Sequence, residues 1–563
     1  MLMEWAADYL SPYVSLNREE ILRVMERPPK PDLGDAAFPC FALAKRLNRS
    51  PHEVAREVAE KLSHLGGEVR AEAVGAYVNL HFSPNAWAVR LLNNVLAPGF
   101  GTAEAGRGKR VVIDMSSPNI AKPFGVGHLR STMIGNALAN LYRASGYEVV
   151  TVNHLGDWGT QFGKLIAAFT RWGDRKTLEC DPMRESLRLY VKFHEEAEEE
   201  PELEDEARYW FQKLEQGDEH AAALRRFFVD ASLKEFNRVY SRLGVTFDYV
   251  LGESFYNDKM GPIIGLLEQQ GLLEESDGAK IVRLDHLQLP PCIIMKSDGT
   301  TIYATRDLAT AFYRTREMGA DQLLYVVGAE QALHFKQVFA VLDALEEGWS
   351  ARCEHVAFGL MKFGGKKMST RKGKVVFLDD VLDEAVRQAE AVIEAKNPAL
   401  QSRREAAEAV GIGAIVFGDL RNSRMLEIDF SLEDALRFEG DTGPYVQYAY
   451  ARAVTLLEKG MAGTEEFDEP SPEALSGRLA WECLKQLAGY PDAIRLAVEQ
   501  NEPSVLARYL LDTAKQFNRF YRHERILSTD REETHARLML TAAVAGVLKN
   551  GLALLGVKAP RHI

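Results

Sequence analysis

At 563 residues the chain is too long for one hydrophobic core, and roughly three or four domains of ~150 residues each are expected. Hydrophobic content of 46% and charged content of 26% are ordinary for a globular protein. The formal net charge of −13 argues against indiscriminate nucleic-acid binding, which draws on positive charge, and leaves room for a local basic face on an acidic body.

The five cysteines form no CxxC pair, so neither a zinc site nor a disulfide framework follows from their spacing. The opening MLMEWAADYLSPY carries Glu4 and Asp8 and lacks a basic segment followed by a long apolar one. No run of about 18 apolar residues occurs, and a cytoplasmic protein without a membrane segment is the expectation.

Residues 1–108 predict a small α+β unit. PHEVAREVAEKLSHL, opened by Pro51, has the apolar spacing of an amphipathic helix, and AYVNLHF alternates like a strand. The Gly-rich stretch PGFGTAEAGRGKR (98–110) reads as a boundary. Over 109–424 strand-like and helix-like pieces alternate. RVVIDM precedes a helix in which Leu129, Met133, Ile134, Leu138 and Leu141 recur at helical spacing. YEVVTVNHLG follows, then a long helical, acidic insert over about 174–245, whose run EEAEEEPELEDEA reads as a solvated face. The alternation resumes with AKIVRL, PPCIIM, QLLYVVG and EHVAFGLM, which predicts one mostly parallel sheet interrupted by the insert. From about 425 strand signals vanish, and patterns such as PSVLARYLLDTAKQFNRFYRHERIL predict an all-helical domain over 425–563.

The turn DMSSPNIAKPFGVGH sits at the carboxyl end of a strand and the amino end of a helix, where open parallel α/β sheets bind phosphates and nucleotides. Gly125 and Gly127 permit close backbone approach to a phosphate. His128 can donate to a phosphoryl oxygen as charge builds there, and Lys122 adds a point charge. Alone, this is equally a glycine-containing turn with a structural histidine. A second segment, FGGKKMSTRKGKVV (363–376), gathers Lys366, Lys367, Arg371, Lys372 and Lys374 around Met368-Ser369-Thr370. Its flanking glycines suit a loop able to move, and pyrophosphate leaving an α-phosphorus needs cations to neutralise it. Alone, the segment is also a solvated basic surface or an RNA patch.

Together the two segments resemble the HIGH and KMSKS signatures of class I aminoacyl-tRNA synthetases. They stand here as Gly125-Val126-Gly127-His128 and Lys367-Met368-Ser369-Thr370-Arg371. The wider text narrows the resemblance. SSPNIAKPFGVGHLRSTMIGN, NHLGDWGTQFG, SDGTTIYATRDLATA, GAEQALHF, KKMSTRKG and FEGDTGPYVQYAYAR all look like arginyl-tRNA synthetase and agree in order along the chain. Two positions depart from the pattern. Gly125 replaces the first His of HIGH, so any contact of that imidazole is absent. Arg371 replaces the second Lys of KMSKS and keeps charge but not the compact ammonium, with Lys122 and Lys372 as candidate compensators.

The resemblance implies a Rossmann-type parallel-sheet catalytic domain (109–424) with a helical insertion, a small N-terminal α+β domain and an all-helical C-terminal domain. It implies a ligase that forms arginyl-adenylate from arginine and ATP, releases pyrophosphate, and passes arginine to the 3′-terminal ribose of tRNA(Arg), with activation requiring tRNA. Lys122, His128, Lys367, Arg371 and Lys372 are the catalytic candidates. Gly125, Gly127, Asp157, Met368 and Ser369 would join His128 in holding ATP, and Mg2+ would arrive with the nucleotide and need no protein cage.

A guanidinium is planar, permanently charged and rich in donors, so its pocket should offer carboxylates. By resemblance Asp114, Tyr303, Asp307 and Gln331 line that pocket, and Ser117 and Asn119 hold the α-amino and carboxylate end. Tyr303 and Asp307 share a face if YATRD is helical. Other readings stay open for each residue taken singly. Strand-end Asp residues cap helices, Asp307 could pair with Arg306 or Arg314, Trp158 could simply pack, and His334 could be core or a neighbour of a ligand.

In the tail, Tyr445, Tyr448, Tyr450 and Arg452, then Phe517, Arg519, Phe520, Tyr521 and Arg522, interleave aromatic and basic character in a way that suits stacking on unpaired bases. At least half are expected to be packing residues, and Tyr445, Tyr448 and Arg452 are the candidates for the anticodon. Tyr77 and Asn79 are the candidates for the tRNA D-loop, with strand packing as the alternative. The resemblance also implies a monomer. The rivals are another adenylating enzyme on this fold and a silent RNA-binding relative, and ATP consumption separates the second.

Overall fold

Residues 1–63, 67–122, 124–363, 377–460 and 470–563 are described by the computed structural model. Near the N-terminus β1 (Ala36–Pro39), β2 (Val69–Val74) and β3 (Tyr77–Phe82) form an antiparallel sheet in the order β1–β3–β2. Helix Pro51–Ser63 lays Val54, Ala55, Val58, Ala59 and Leu62 against it, the recurrent face that a 3.6-residue period predicts. Asp35 accepts the backbone N–H of Phe82 and pairs with Lys485 at 2.6 Å, which ties this unit to the helical tail. Helix Pro84–Leu96 also packs among the tail helices Arg478–Ala488 and Arg531–Leu554. The Gly-rich boundary therefore follows a helix already committed to the tail.

The central body opens with β4 (Arg110–Asp114), β5 (Glu148–Asn153) and β6 (Tyr249–Val250). Between β5 and β6 lie helices Thr160–Trp172, Arg175–Cys180, Pro182–Glu199, Glu202–Glu215 and Glu219–Leu243. The acidic run is only partly solvated, because Lys164 and Arg171 of helix Thr160–Trp172 pair with Glu204, Glu200 and Glu206.

The next strands, β7 (Glu274–Ser276), β8 (Ala279–Val282) and β9 (Cys292–Met295), form a separate antiparallel sheet. This corrects the expectation for AKIVRL and PPCIIM. The link 283–291 is too short for the crossover of about a dozen or more residues that a parallel pair requires. Strands β10 (Gln322–Tyr325) and β11 (Cys353–His355) then complete an all-parallel sheet in the order β11–β10–β4–β5–β6. Both faces are covered. On β4, Val111 and Ile113 enter one core while Val112 enters the other.

Strand β12 (Met361–Phe363) pairs in parallel with β13 (Ile428–Phe430), so one strand persists beyond 425, and it is too short to leave a period in the sequence. Helical structure also begins earlier than expected, with Leu378–Lys396 packed on Arg403–Leu420. A Cβ at Gly411 would lie 2.8 Å from the backbone of Ala385 and Val386, so a larger residue would push these helices apart. Helices Gly443–Gly460, Arg478–Ala488, Tyr490–Glu499, Ser504–His523 and Arg531–Leu554 form the tail. Among the described residues the last of these is long and apolar enough to cross a membrane, and here it buries Leu540, Val544 and Leu548 among its neighbours as a core helix does.

Candidate active site

The turn after β4 runs through three non-glycine residues in the left-handed region, Ser116 (φ +73°), Ser117 (φ +48°) and Ala121 (φ +58°). Such residues persist only where their surroundings over-determine them. Here the surroundings come largely from the insert. The Tyr240 hydroxyl, on helix Glu219–Leu243, bonds the Ser116 hydroxyl at 2.7 Å and accepts the Asn153 amide at 3.1 Å. Ser232 of the same helix accepts the Ala121 N–H at 3.0 Å. Ser131 takes the Ser116 N–H and donates to the carbonyl of Val326. The insert is a buttress of this turn. Tyr240→Phe is accordingly expected to cost about 1–3 kcal/mol of stability, read by denaturant titration, because its buried partners lose their bonds.

At the far end of the turn the backbone N–H of Gly125 donates to His128 Nδ1 at 3.2 Å. Burial, and then the nearby Lys122 charge, push the His128 pKa down to about 4. At neutral pH the imidazole is uncharged, and with Nδ1 accepting, its proton sits on Nε2. The nitrogen that can face a ligand is therefore a neutral donor, and cationic charge comes from Lys122, whose Nζ stands 5.8 Å from the Tyr190 ring centre. A Cβ added at Gly127 would meet no protein atom within 4 Å, so the fold itself does not demand glycine there. Gly127→Ala should keep or raise the melting temperature, since alanine is favoured in helices by about 1 kcal/mol. If ATP occupies that space, its KM rises about tenfold, the equivalent of 1.4 kcal/mol.

Lys367, Met368, Ser369, Arg371 and Lys372 lie outside the described residues. The chain before them ends in β12, and after them the N–H of Leu378 donates to the carbonyl of Phe124 at 3.2 Å, which anchors it to the first turn.

A cleft beside the turn is lined by Asn119, Lys122, Trp158, Gln161, Glu253 and Tyr303, among others. Helix Tyr303–Arg316 is buried along most of its length, and Tyr303 (65% exposed) and the half-buried Asp307 are on the side that opens. Asp307 Oδ2 lies 2.5 Å from His334 Nε2, so His334 is a neighbour of the carboxylate. Asp114 accepts the Ser117 hydroxyl at 2.8 Å and pairs with the fully buried Arg314 at 2.8 Å. The pairing left open for Asp307 with Arg314 thus belongs to Asp114. His154, just after β5, is buried, and burial lowers its pKa against the opposing pull of Asp114 and Asp307. Gln331 is exposed just before helix Ala332–Leu345, and Asn119 is exposed in the turn.

Asp157 is buried, and one carboxylate oxygen accepts the Ser254 N–H while the other takes the Ser254 hydroxyl and Arg225, so it clamps two loops and keeps a lone pair on the first oxygen. The expectation for Asn79 is corrected. Asn79 is 4% exposed in the middle of β3, between Ala37 and Glu72, where it cannot reach a base edge. Its neighbour Tyr77 is half-buried and meets Phe41 edge-on at 5.7 Å, and Phe41, which the sequence did not single out, is 53% exposed. Trp158 meets Phe211 edge-on at 5.8 Å and also lines the cleft.

Glu253 is a further group that the motifs did not reveal. It lines the cleft opposite Arg306 at 3.4 Å, and burial, helped by Asp157 and Asp307, pushes its pKa up to about 7. In the tail Phe517 and Phe520 are core residues, whereas Arg452 lies between Tyr448 and Tyr521, 4.9 and 4.8 Å from the two ring centres, with Tyr445 half-buried nearby on the same helix.

Three family models match the chain. They are described as arginyl tRNA synthetase N terminal domain over residues 7–82, tRNA synthetases class I (R), catalytic domain, over 91–432, and DALR anticodon binding domain over 446–563. The chain is 51% identical over 550 residues to arginine--tRNA ligase 2 of Bacillus anthracis, covering 97% of each. It is 48% identical over 555 residues to the arginine--tRNA ligase of Clostridium perfringens, covering 98% of each. Among solved structures, the Thermus thermophilus arginyl-tRNA synthetase superposes with a TM-score of 0.84 at 27% identity, covering 100% of both chains.

Proposed function

Because this chain belongs to the arginyl-tRNA synthetase family and joins arginine to tRNA at the expense of ATP, we propose that its first turn and the adjoining cleft divide the reaction between a phosphate end and a guanidinium end. An oxygen of the arginine α-carboxylate attacks the α-phosphorus of ATP, the bond from that phosphorus to the bridging oxygen breaks, and pyrophosphate leaves in line. Positioning and charge stabilisation then supply most of the rate. The neutral Nε2–H of His128 donates to the α-phosphate, Lys122 supplies charge beside it, and Gly125 and Gly127 leave room for the nucleotide. Lys367, Arg371 and Lys372 meet the departing pyrophosphate, with Met368 and Ser369 against the nucleotide. Magnesium travels with ATP.

At the other end Asp307 and Tyr303 meet the guanidinium together with Gln331. Asp114 holds a second lone pair on each oxygen toward the same space, while Ser117 and Asn119 take the α-amino and carboxylate groups. A 3′-terminal ribose hydroxyl of tRNA then attacks the acyl carbon and AMP departs. The N-terminal unit (1–108) meets the D-loop through Tyr77, the catalytic body spans 109–424, and the tail (425–563) meets the anticodon through Tyr445, Tyr448 and Arg452. The enzyme works as a cytoplasmic monomer.

The observation that carries this reading is His128 at the amino end of a helix, its Nδ1 held by the Gly125 N–H, beside a Lys122 that lines the same cleft as Tyr303. ATP–pyrophosphate exchange with arginine tests it. Exchange should require tRNA and should stop when magnesium is chelated. Exchange that persists under chelation, or that proceeds as fast without tRNA, would contradict it.

A further inference from the structure

Arg130 lies two residues after His128 in the same helical turn, so its side chain points about 200° away, to the back of the helix. There it is 1% exposed and forms an ion pair at 3.0 Å with Asp419, also 1% exposed. One carboxylate cannot satisfy a buried guanidinium, and three of the remaining donors go to backbone carbonyls. Arg130 bonds the carbonyl of Gly359, just before β12, the carbonyl of Leu426 at 2.9 Å and that of Arg424 at 3.2 Å, both just before β13. The back of the helix is thereby fastened to the β12–β13 ledge, from which the chain continues toward Lys367.

The ledge is fastened in turn to the tail. Arg424 donates to the carbonyl of Asn501 at 3.0 Å and to that of Ala357 at 2.6 Å. Asn501, in the turn between helices Tyr490–Glu499 and Ser504–His523, is 2% exposed and left-handed at φ +48°. Its side chain accepts the Tyr142 hydroxyl at 2.9 Å, near the other end of the helix that carries His128. One tail turn therefore grips that helix at both ends.

We propose that Arg130 is a positioning residue for arginine activation: it sets the His128 turn at a fixed distance from the β12–β13 ledge and keys both to the 500–503 turn of the tail. The guanidinium fork is essential, since a lysine ammonium can face Asp419 without reaching three carbonyls. The inference rests on the reading of this helix as the ATP-binding one.

The test is steady-state charging of tRNA with arginine by the full chain, normalised to active sites by titration, for Arg130→Lys, Arg424→Lys and the double variant. Each single change should lower kcat by about tenfold to a hundredfold, as a displacement near 1 Å does, with the KM for arginine within about twofold. The double variant should be no slower than the slower single within about threefold, because both changes cut one network. A kcat per active site equal to the wild type in Arg130→Lys would make the role one of stability alone and overturn the inference. Losses that multiply in the double variant would overturn the link to the tail. If Arg130→Lys does not fold, Arg424→Lys decides by itself, and an unchanged kcat overturns the proposal. A wild-type chain that fails to charge arginine would instead overturn the reading of the site.

Discussion

Replacing His128 with alanine is expected to lower the rate of arginine activation by about a hundredfold to a thousandfold, the usual loss when one preorganised donor to a developing oxyanion is removed. The Nδ1 of this ring is occupied by the Gly125 N–H and its pKa is held near 4, so it acts as a neutral donor through Nε2. Glutamine at 128 keeps an acceptor for Gly125, as capping boxes do, and an amide N–H of similar reach, so His128→Gln should lose only about tenfold. The pH dependence follows with a definite sign. The folded pKa lies below the ordinary value of 6.5, so between those values the unfolded chain binds more protons and this group's contribution to stability falls as the pH drops. From pH 6.5 upward the contribution is complete, and activity carried by His128 should be flat between pH 7 and 8. Thermal melts at stepped pH check this, since His128→Gln should lose less stability than the wild type on acidification toward pH 4.

Asp307→Asn should raise the KM for arginine and lower kcat/KM by about a hundredfold to a thousandfold, while the KM for ATP changes by less than about twofold. The basis is the ~2–5 kcal/mol cost of removing one partner from a buried charged contact, at 1.4 kcal/mol per tenfold. Asparagine fills the same volume and can still meet His334, so the helix should be undisturbed and the loss specific to the guanidinium. Aminoacylation measured across arginine and ATP concentrations separates the two constants. An unchanged arginine KM would remove Asp307 from the pocket and leave recognition to Asp114, whose carboxylate already serves Arg314.

Much of this was legible in the sequence because it depends on local period and local chemistry. The strand β4, the helix after His128 and the helical tail each leave a pattern within one element. Tyr303 and Asp307 share the open side of their helix, as i and i+4 spacing requires. What was not legible depends on pairing across the fold. AKIVRL and PPCIIM look the same whether their partners are parallel or antiparallel, and only the short link between them carries a hint. Asp157 and Asn79 are polar residues in motif-like surroundings, and nothing local says that Arg225 or a sheet interior receives them. Arg130, Arg314 and Glu253 hold the site together with partners distant in sequence, and a buried charge reads in the sequence like a surface one. One signal was available for Arg314. Arg306, Thr310 and Arg314 recur every four residues along the buried side of their helix, a spacing that would have marked both guanidiniums as interior.

The most direct measurement is aminoacylation of total tRNA with each of the twenty amino acids separately, with ATP and magnesium present. Charging by arginine alone is the predicted result. Charging by any other amino acid would contradict the guanidinium pocket built from Asp307, Tyr303 and Asp114, and no charging at all by a chain that still binds tRNA would contradict the catalytic role assigned to His128 and Lys122.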